Sequence, residues 1–303
     1  MYRTILVPLD GSLLAERALP YAHALAEAGG ARVILLRVVP EPGILDEVPA
    51  GDEEKAMRDA EAYLAGFAAQ STDRARVVTE IYRGSPVEVI VEEVQARRVD
   101  VVVMSTHGRS GLSRWIYGSV ADGVLRSAAA PVLLVPTACR GTWPVDHTAR
   151  ILVPLDGSPL AEDVLAPVSD LAEALGAEML LLRVVQSASY PYASGAVQDH
   201  VQFDLEAEIE HAQRYLDALA DKLRARGRVV KILVTTGGDP ALEIISAARE
   251  QSVDVIAIAT HGRGGVVRVV LGSVASGVVQ RATVPVLISR PAAVPSDTAV
   301  FRQ

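Results

Sequence analysis

The sequence predicts two tandem α/β domains, each a doubly wound sheet of five parallel strands. Three observations carry that prediction. The chain has 303 residues, enough for two ordinary domains. It repeats itself: Ile5-Leu6-Val7-Pro8-Leu9-Asp10-Gly11-Ser12 returns as Ile151-Leu152-Val153-Pro154-Leu155-Asp156-Gly157-Ser158, and Thr106-His107-Gly108-Arg109 returns as Thr260-His261-Gly262-Arg263. So long a period means two whole domains, not a solenoid. Within each copy, nearly continuous runs of Val, Ile and Leu alternate with segments of helical period, as in parallel strands covered on both faces.

The first copy places strands at Thr4–Leu9, Arg32–Val39, Arg76–Tyr82, Asp100–Ser105 and Pro131–Val135. The second places them at Arg150–Leu155, Ala177–Val185, Val229–Thr235, Asp254–Ala259 and Pro285–Ser289. After the first strand, Ala15, Ala18, Leu19, Ala22, Leu25 and Ala26 form one apolar helical stripe. Ala161, Val164, Leu165, Val168, Leu171 and Ala172 repeat it. Ser12 and Ser158 are expected N-caps, with Pro159 at a first helical position. Pro20 and Pro167 fall inside the stripes and predict kinks. Gly29-Gly30 and Gly176 mark the helix ends. The second copy carries eight more residues between the landmarks, assigned to an irregular stretch over Gln186–Gln202: a lid or, more simply, a surface loop. The acidic stretch Asp46–Glu54 is read as a solvated lead-in to the next helix. These readings divide the chain into residues 1–137, a linker over 138–149, residues 150–290, and a tail over 291–303.

Half of the residues are hydrophobic but only 4% are aromatic, so the core must be built from Ala, Val, Leu and Ile. The net charge of −8 argues against a nucleic-acid surface, which needs a basic face to displace counterions. Cys139 is the one cysteine, which forbids an intrachain disulfide and fits a reducing, cytoplasmic setting. No apolar run reaches the ~20 residues of a membrane helix, so membrane insertion is not expected.

Sheets of this kind bind ligands beyond the carboxyl ends of their strands. After the fourth strand, the first copy reads Ser105-Thr106-His107-Gly108-Arg109-Ser110-Gly111 and reaches Gly118-Ser119-Val120. The second reads Ala259-Thr260-His261-Gly262-Arg263-Gly264-Gly265 and reaches Gly272-Ser273-Val274. Nine residues separate Gly108 from Gly118, and nine separate Gly262 from Gly272. Glycines let a backbone approach a ligand closely, and a helix start offers free N–H groups and the positive dipole end to phosphate. Ser119 and Ser273 add hydroxyl donors, and Arg109 and Arg263 add charge.

The pattern resembles the ATP-binding subclass of the universal stress proteins: G-x2-G-x9-G-[S/T], preceded by V-P-x-D at the end of strand one. Gly84-Ser85-Pro86 and Gly238-Asp239-Pro240 are similar to that family too, as are Ala130-Pro131-Val132-Leu133 and Val284-Pro285-Val286-Leu287. The resemblance covers nearly the whole chain twice. It implies an adenine-nucleotide α-hydrolase-like, Rossmann-like fold and an ATP ligand, with ADP or AMP as alternatives and Mg²⁺ riding on the phosphates. It implies that Pro8, Leu9 and Asp10, with Pro154, Leu155 and Asp156, meet the adenosine end. Val38 and Val184 would offer backbone groups to the adenine edge. Met104, Ser105, His107, Gly108, Arg109, Gly118, Ser119 and Val120 would line the first site. Ala259, His261, Gly262, Arg263, Gly272, Ser273 and Val274 would line the second. One position departs from the family: its first glycine is Ser105 here in one copy and Ala259 in the other, which predicts unequal sites.

Simpler readings compete. Asp10 and Asp156 before Gly-Ser also suit a turn cap. His107 and His261 suit a structural hydrogen bond better than a general base, because no Ser–His–Asp or Cys–His set is recognisable. No P-loop or kinase signature occurs. The expectation is therefore a cytoplasmic, nucleotide-dependent regulator of stress response or dormancy, acting through conformation and a protein partner. The alternatives are a slow ATPase or self-phosphorylating protein, and a scaffold. The resemblance also implies pairing of the two last strands, and a homodimer of chains beyond that.

Overall fold

The computed structural model describes residues 2–41, 53–70, 76–107, 118–139, 142–144, 146–186, 196–260 and 271–290, without the side chains of 70 and 196–204. The first half runs β1 (Thr4–Pro8), α1 (Leu13–Glu16), α2 (Leu19–Gly29), β2 (Arg32–Val39), α3 (Glu53–Gln70), β3 (Val77–Arg83), α4 (Pro86–Ala96), β4 (Val101–Ser105), α5 (Ser119–Ser127) and β5 (Val132–Val135). The second runs β6 (Arg150–Pro154), α6 (Pro159–Glu162), α7 (Leu165–Leu175), β7 (Glu178–Gln186), α8 (Ala196–Arg224), β8 (Val230–Gly237), α9 (Pro240–Glu250), β9 (Val255–Ala259), α10 (Ser273–Arg281) and β10 (Val286–Ser289).

Each half orders its strands 3-2-1-4-5, and the halves join into one ten-stranded sheet, β3-β2-β1-β4-β5-β10-β9-β6-β7-β8. Pairing within each half is parallel. Among the described strands only the seam is antiparallel, where Leu133 faces Leu287. Two-residue alternation sorts the core: Ile5, Val7, Val33 and Leu35 face one layer, Leu6, Ile34 and Leu36 the other. Both layers run across the seam, since Ile151 and Val153 belong to the first and Leu152 and Ile256 to the second. Two five-stranded sheets thus close each other's exposed edge, leaving β3 and β8 outermost.

The predicted single helix after strand one is two helices in each half. Ser12 Oγ accepts from the Ala15 amide at 3.1 Å and starts α1. The chain then tightens, with Arg17 and Ala18 donating three residues back, and α2 restarts at Leu19. Pro20 lacks the N–H that a continuous helix would need, so it sits in the new helix's first turn, where no donor is missed. Pro167 does the same in α7. Gly30 and Gly176 close these helices at φ 66° and 59°, the left-handed region glycine favours. The second difference concerns Gln186–Gln202: α8 already begins at Ala196, so the irregular stretch is shorter than expected. Asp46–Gly51, Asp52 and the tail from 291 lie outside the described residues.

Aromatic residues cross the seam in both directions. Tyr2, ahead of β1, places its hydroxyl 3.5 Å from the Pro167 carbonyl of α7. Trp143, ahead of β6, donates its indole N–H to the Tyr21 carbonyl of α2 at 3.0 Å. Tyr21 and Pro167 are matching residues of the repeat. Trp143 is 6% exposed, and its ring meets Tyr21 edge-on at a centroid distance of 4.9 Å. The Tyr21 hydroxyl and Cys139 Sγ share a hydrogen bond of 2.9 Å, and burial raises the thiol, which keeps it protonated. Arg17 donates to the Thr137 carbonyl. The segment between the halves is therefore strapped to α2.

His147 fastens the far end of that segment. Its Nδ1 lies 2.8 Å from Asp146 and its Nε2 3.2 Å from Asp254, whose other oxygen caps the Arg150 amide at 2.8 Å. Two carboxylates want both ring nitrogens as donors, so the imidazolium is favoured and the pKa is raised, chiefly by Asp146 and next by Asp254. A raised folded value means a contribution fully present below the ordinary 6.5 and lost as pH rises through the folded value. His147→Asn should therefore lower the melting temperature slightly at pH 5.5 and not at all at pH 9. Equal losses at both pH values would contradict this account.

Candidate functional site

In the order 3-2-1-4-5 the winding reverses between β1 and β4, and the carboxyl ends of these strands open a cleft there. Its volume is about 330 Å³, within the usual range for small-molecule sites. The turn after β1 supplies Pro8, Leu9 and Asp10, and the end of β2 supplies Leu36, Arg37, Val38 and Pro40. Pro86 and Ile90 of α4 form an apolar wall. Met104, Ser105, Thr106 and His107 follow β4, and Gly118, Ser119, Val120 and Ala121 open α5. An apolar slot thus ends in a helix start. Gly108 and Arg109 lie outside the described residues, as do His261, Gly262 and Arg263.

The start of α5 is bare and faces the cleft. Gly118 precedes the helix at φ −59° and ψ 149°, with no side chain capping the first turn. Its own N–H donates to the Thr106 carbonyl at 2.9 Å. Gly272 repeats this before α10, donating to Thr260 at 2.9 Å. Ser12, Ser158 and Asp239 cap their helices with side-chain oxygens, while α2, α4 and α7 start without one, so the bare start of α5 matters for its position against the cleft. A Cβ on Gly272 would stand 3.0 Å from the Thr260 carbonyl oxygen, closer than ordinary contact. Close approach, not a left-handed backbone, favours glycine here. The amides at the head of α5 border the cleft with the positive end of the helix dipole behind them.

Asp10 serves the turn and borders the cleft at once. Its Oδ1 accepts from the Ser12 amide at 2.9 Å and from Ser12 Oγ at 2.6 Å. Asp156 and Ser158 repeat both bonds at the same distances. The turn glycines, Gly11 and Gly157, are both at φ 82°. His107 Nδ1 lies 3.1 Å from Thr106 Oγ1, the local hydrogen bond expected of a structural histidine. Ser105 Oγ donates to the His107 carbonyl at 2.6 Å, a bond Ala259 cannot make.

Of the sequence-predicted residues in the first half, Pro8, Leu9, Asp10, Val38, Met104, Ser105, His107, Gly118, Ser119 and Val120 come together in the cleft. In the second half, Pro154, Leu155, Asp156, Val184, Ala259, Gly272, Ser273 and Val274 occupy the matching strand ends and helix start. Thr106 lines the cleft beside the predicted His107, and Arg37 is the charged cleft residue that sequence reasoning missed. Its guanidinium donates to the Leu9 carbonyl at 3.2 Å, and Arg183 donates to Leu155 likewise. A signal existed, since Leu35-Leu36-Arg37-Val38-Val39 recurs as Leu181-Leu182-Arg183-Val184-Val185.

The Universal stress protein family model matches residues 1–136 and 147–290, most of the chain. The chain belongs to the universal stress protein family. A universal stress protein of Mycobacterium tuberculosis is 29% identical over 227 residues, covering 75% of this chain and 73% of that one. One from Mycolicibacterium smegmatis is 25% identical over 300 residues, covering 95% and 97%. The crystal structure of a universal stress protein from Archaeoglobus fulgidus superposes with a TM-score of 0.70 at 21% identity, covering 95% of this chain and 98% of that one, and supports the fold. Among the described residues, no helix is long and apolar enough to cross a membrane, and no group of three His, Cys, Asp or Glu could hold a metal ion.

Proposed function

We propose that this universal stress protein holds one adenine nucleotide, ATP foremost, in each half, and that occupancy regulates a cytoplasmic stress or dormancy response through conformation and a protein partner. The observation that carries the reading is the helix start at Gly118, set without a side-chain cap at the end of an apolar slot, with the same start repeated at Gly272. The residues fit the group. The amides of Ser119, Val120 and Ala121 would hold phosphate, and Mg²⁺ would sit on the phosphates. Met104, Val38 and Ile90 would enclose the base, with Asp10 at the ribose or adenine edge. Matching residues would serve the second half. The homodimer implied by the family resemblance would need a surface other than the last strands, because β5 and β10 already take each other.

Calorimetric titration of nucleotide-free protein with ATP, ADP and AMP tests the reading: two sites should fill with ATP. No heat and no uptake with any of the three would refute it. Steady phosphate release that vanishes in the Asp10→Ala, Asp156→Ala double variant would move the reading to a slow ATPase.

The two sites should differ. Ser105 holds the chain as it leaves β4, and Ala259 does not. One hydrogen bond of about 0.5–1.5 kcal/mol corresponds to a difference of roughly 2- to 10-fold. Ser105→Ala should weaken the first site by that factor and Ala259→Ser should strengthen the second. Unchanged affinities in both variants would show that the bond is irrelevant to binding.

A further inference from the structure

A second polar contact recurs in each half, at the short helix after the first strand, and has no part in the binding reading. Tyr63 of α3 donates its hydroxyl to Glu16 Oε1 at 3.1 Å. Tyr215 of α8 donates to Glu162 Oε1 at 3.1 Å. The chain between the partners differs in length, with a separation of 47 residues in the first half and 53 in the second. The geometry is nonetheless the same. The halves have thus diverged in the connecting chain and kept the contact.

Each tyrosine lies within electrostatic reach of the charged residues at the neighbouring strand ends. Burial raises the Tyr63 phenol most, Glu16 raises it further, Arg37 opposes and Asp10 adds to the rise. Burial likewise leads for Tyr215, followed by Glu162, with Arg183 opposing and Asp156 adding. The hydroxyl is therefore a permanent donor, close enough to feel the two charged cleft residues. The hydrogen-bonded path is short as well. Asp10 binds Ser12, Ser12 caps α1, and α1 ends on Glu16. The four-residue helix makes Asp10 and Glu16 two ends of one small piece. A docking role alone would not need this bond, because α3 already buries Leu64 in the core and packs the Tyr63 and Phe67 rings against it.

We propose that Tyr63 and Tyr215 are positioning residues that couple each nucleotide cleft to its outer helix, α3 or α8, through the short helix that begins beside Asp10 or Asp156. The inference rests on the nucleotide-binding reading above. A ligand that engages Asp10 steadies the turn and α1, Glu16 is held, and Tyr63 transmits that order to α3. Because α3 packs on β3 and α8 on β8, the output lies at the two ends of the sheet, far from the seam. A partner sensing occupancy would read those ends.

The test is amide hydrogen exchange on the full chain with and without saturating ATP, with bound nucleotide counted in the same samples. In the wild type, ATP should slow exchange at least threefold in residues 53–70 and 205–224. Tyr63→Phe should abolish the ATP effect in 53–70 and leave it in 205–224, and Tyr215→Phe should do the reverse. Glu16→Ala, which keeps the helix and removes the acceptor, should match Tyr63→Phe. A variant that lowers protection of α3 without ATP but keeps the ATP effect would show a merely structural contact and overturn the coupling. Nucleotide uptake with no ATP effect on α3 in the wild type would overturn it too. Zero uptake would instead remove the binding reading and the coupling together.

Discussion

Trp143→Ala is expected to destabilise the protein by about 3–5 kcal/mol, the cost of truncating a fully packed tryptophan. The indole is buried, its N–H is bonded to Tyr21, and its ring packs against that residue across the seam. Both core layers continue from one half to the other, so the loss should appear as a shift of one cooperative transition. Denaturant unfolding followed by far-UV circular dichroism measures it. A Leu13→Ala control should change stability by less than about 0.5 kcal/mol, because Leu13 is 81% exposed. A Trp143→Ala loss below about 1 kcal/mol would show that the segment between the halves does not clamp them.

Gly272→Val should remove the second nucleotide site and leave the first. The backbone there, at φ −58°, suits valine, so the fold should tolerate the change. The Cβ would press on the Thr260 carbonyl oxygen, and the branched side chain would crowd the bare amides of α10. Losing one charge-assisted hydrogen bond of about 1.5–3 kcal/mol lowers affinity by roughly 10- to 100-fold. Equilibrium dialysis against ATP at a concentration that fills both wild-type sites should then find one nucleotide per chain. Two would mean that the helix start does not hold the ligand.

Most strand positions were legible because each is a dense run of Val, Ile and Leu between turn residues; β2 falls at Arg32–Val39 as predicted. The break between α1 and α2 was not legible from periodicity. Ala15, Ala18, Leu19 and Ala22 stay on one buried face through the break, so the stripe runs on while the helix does not. Pro20 carried the clue, and it marks a first turn, not a kink. The start of α8 was hidden by Gln198, Asp199 and His200, which interrupt any apolar stripe. In the cleft, residues that act through backbone geometry were readable, since Gly118, Gly272, Asp10 and Asp156 belong to local, repeated patterns. Arg37 was not, because strand alternation sets it on the face opposite Val38 and its partner Leu9 is 28 residues away. Tyr63 and Glu16 meet only through the tertiary fold.

The most direct test of the central claim is to denature freshly purified protein and to identify and count the nucleotide released, by chromatography and mass spectrometry. The account predicts adenine nucleotide, chiefly ATP, approaching two per chain, with any shortfall at the Ala259 site and restored by Ala259→Ser. Protein that releases no nucleotide, and takes up none when ATP is added, would contradict it.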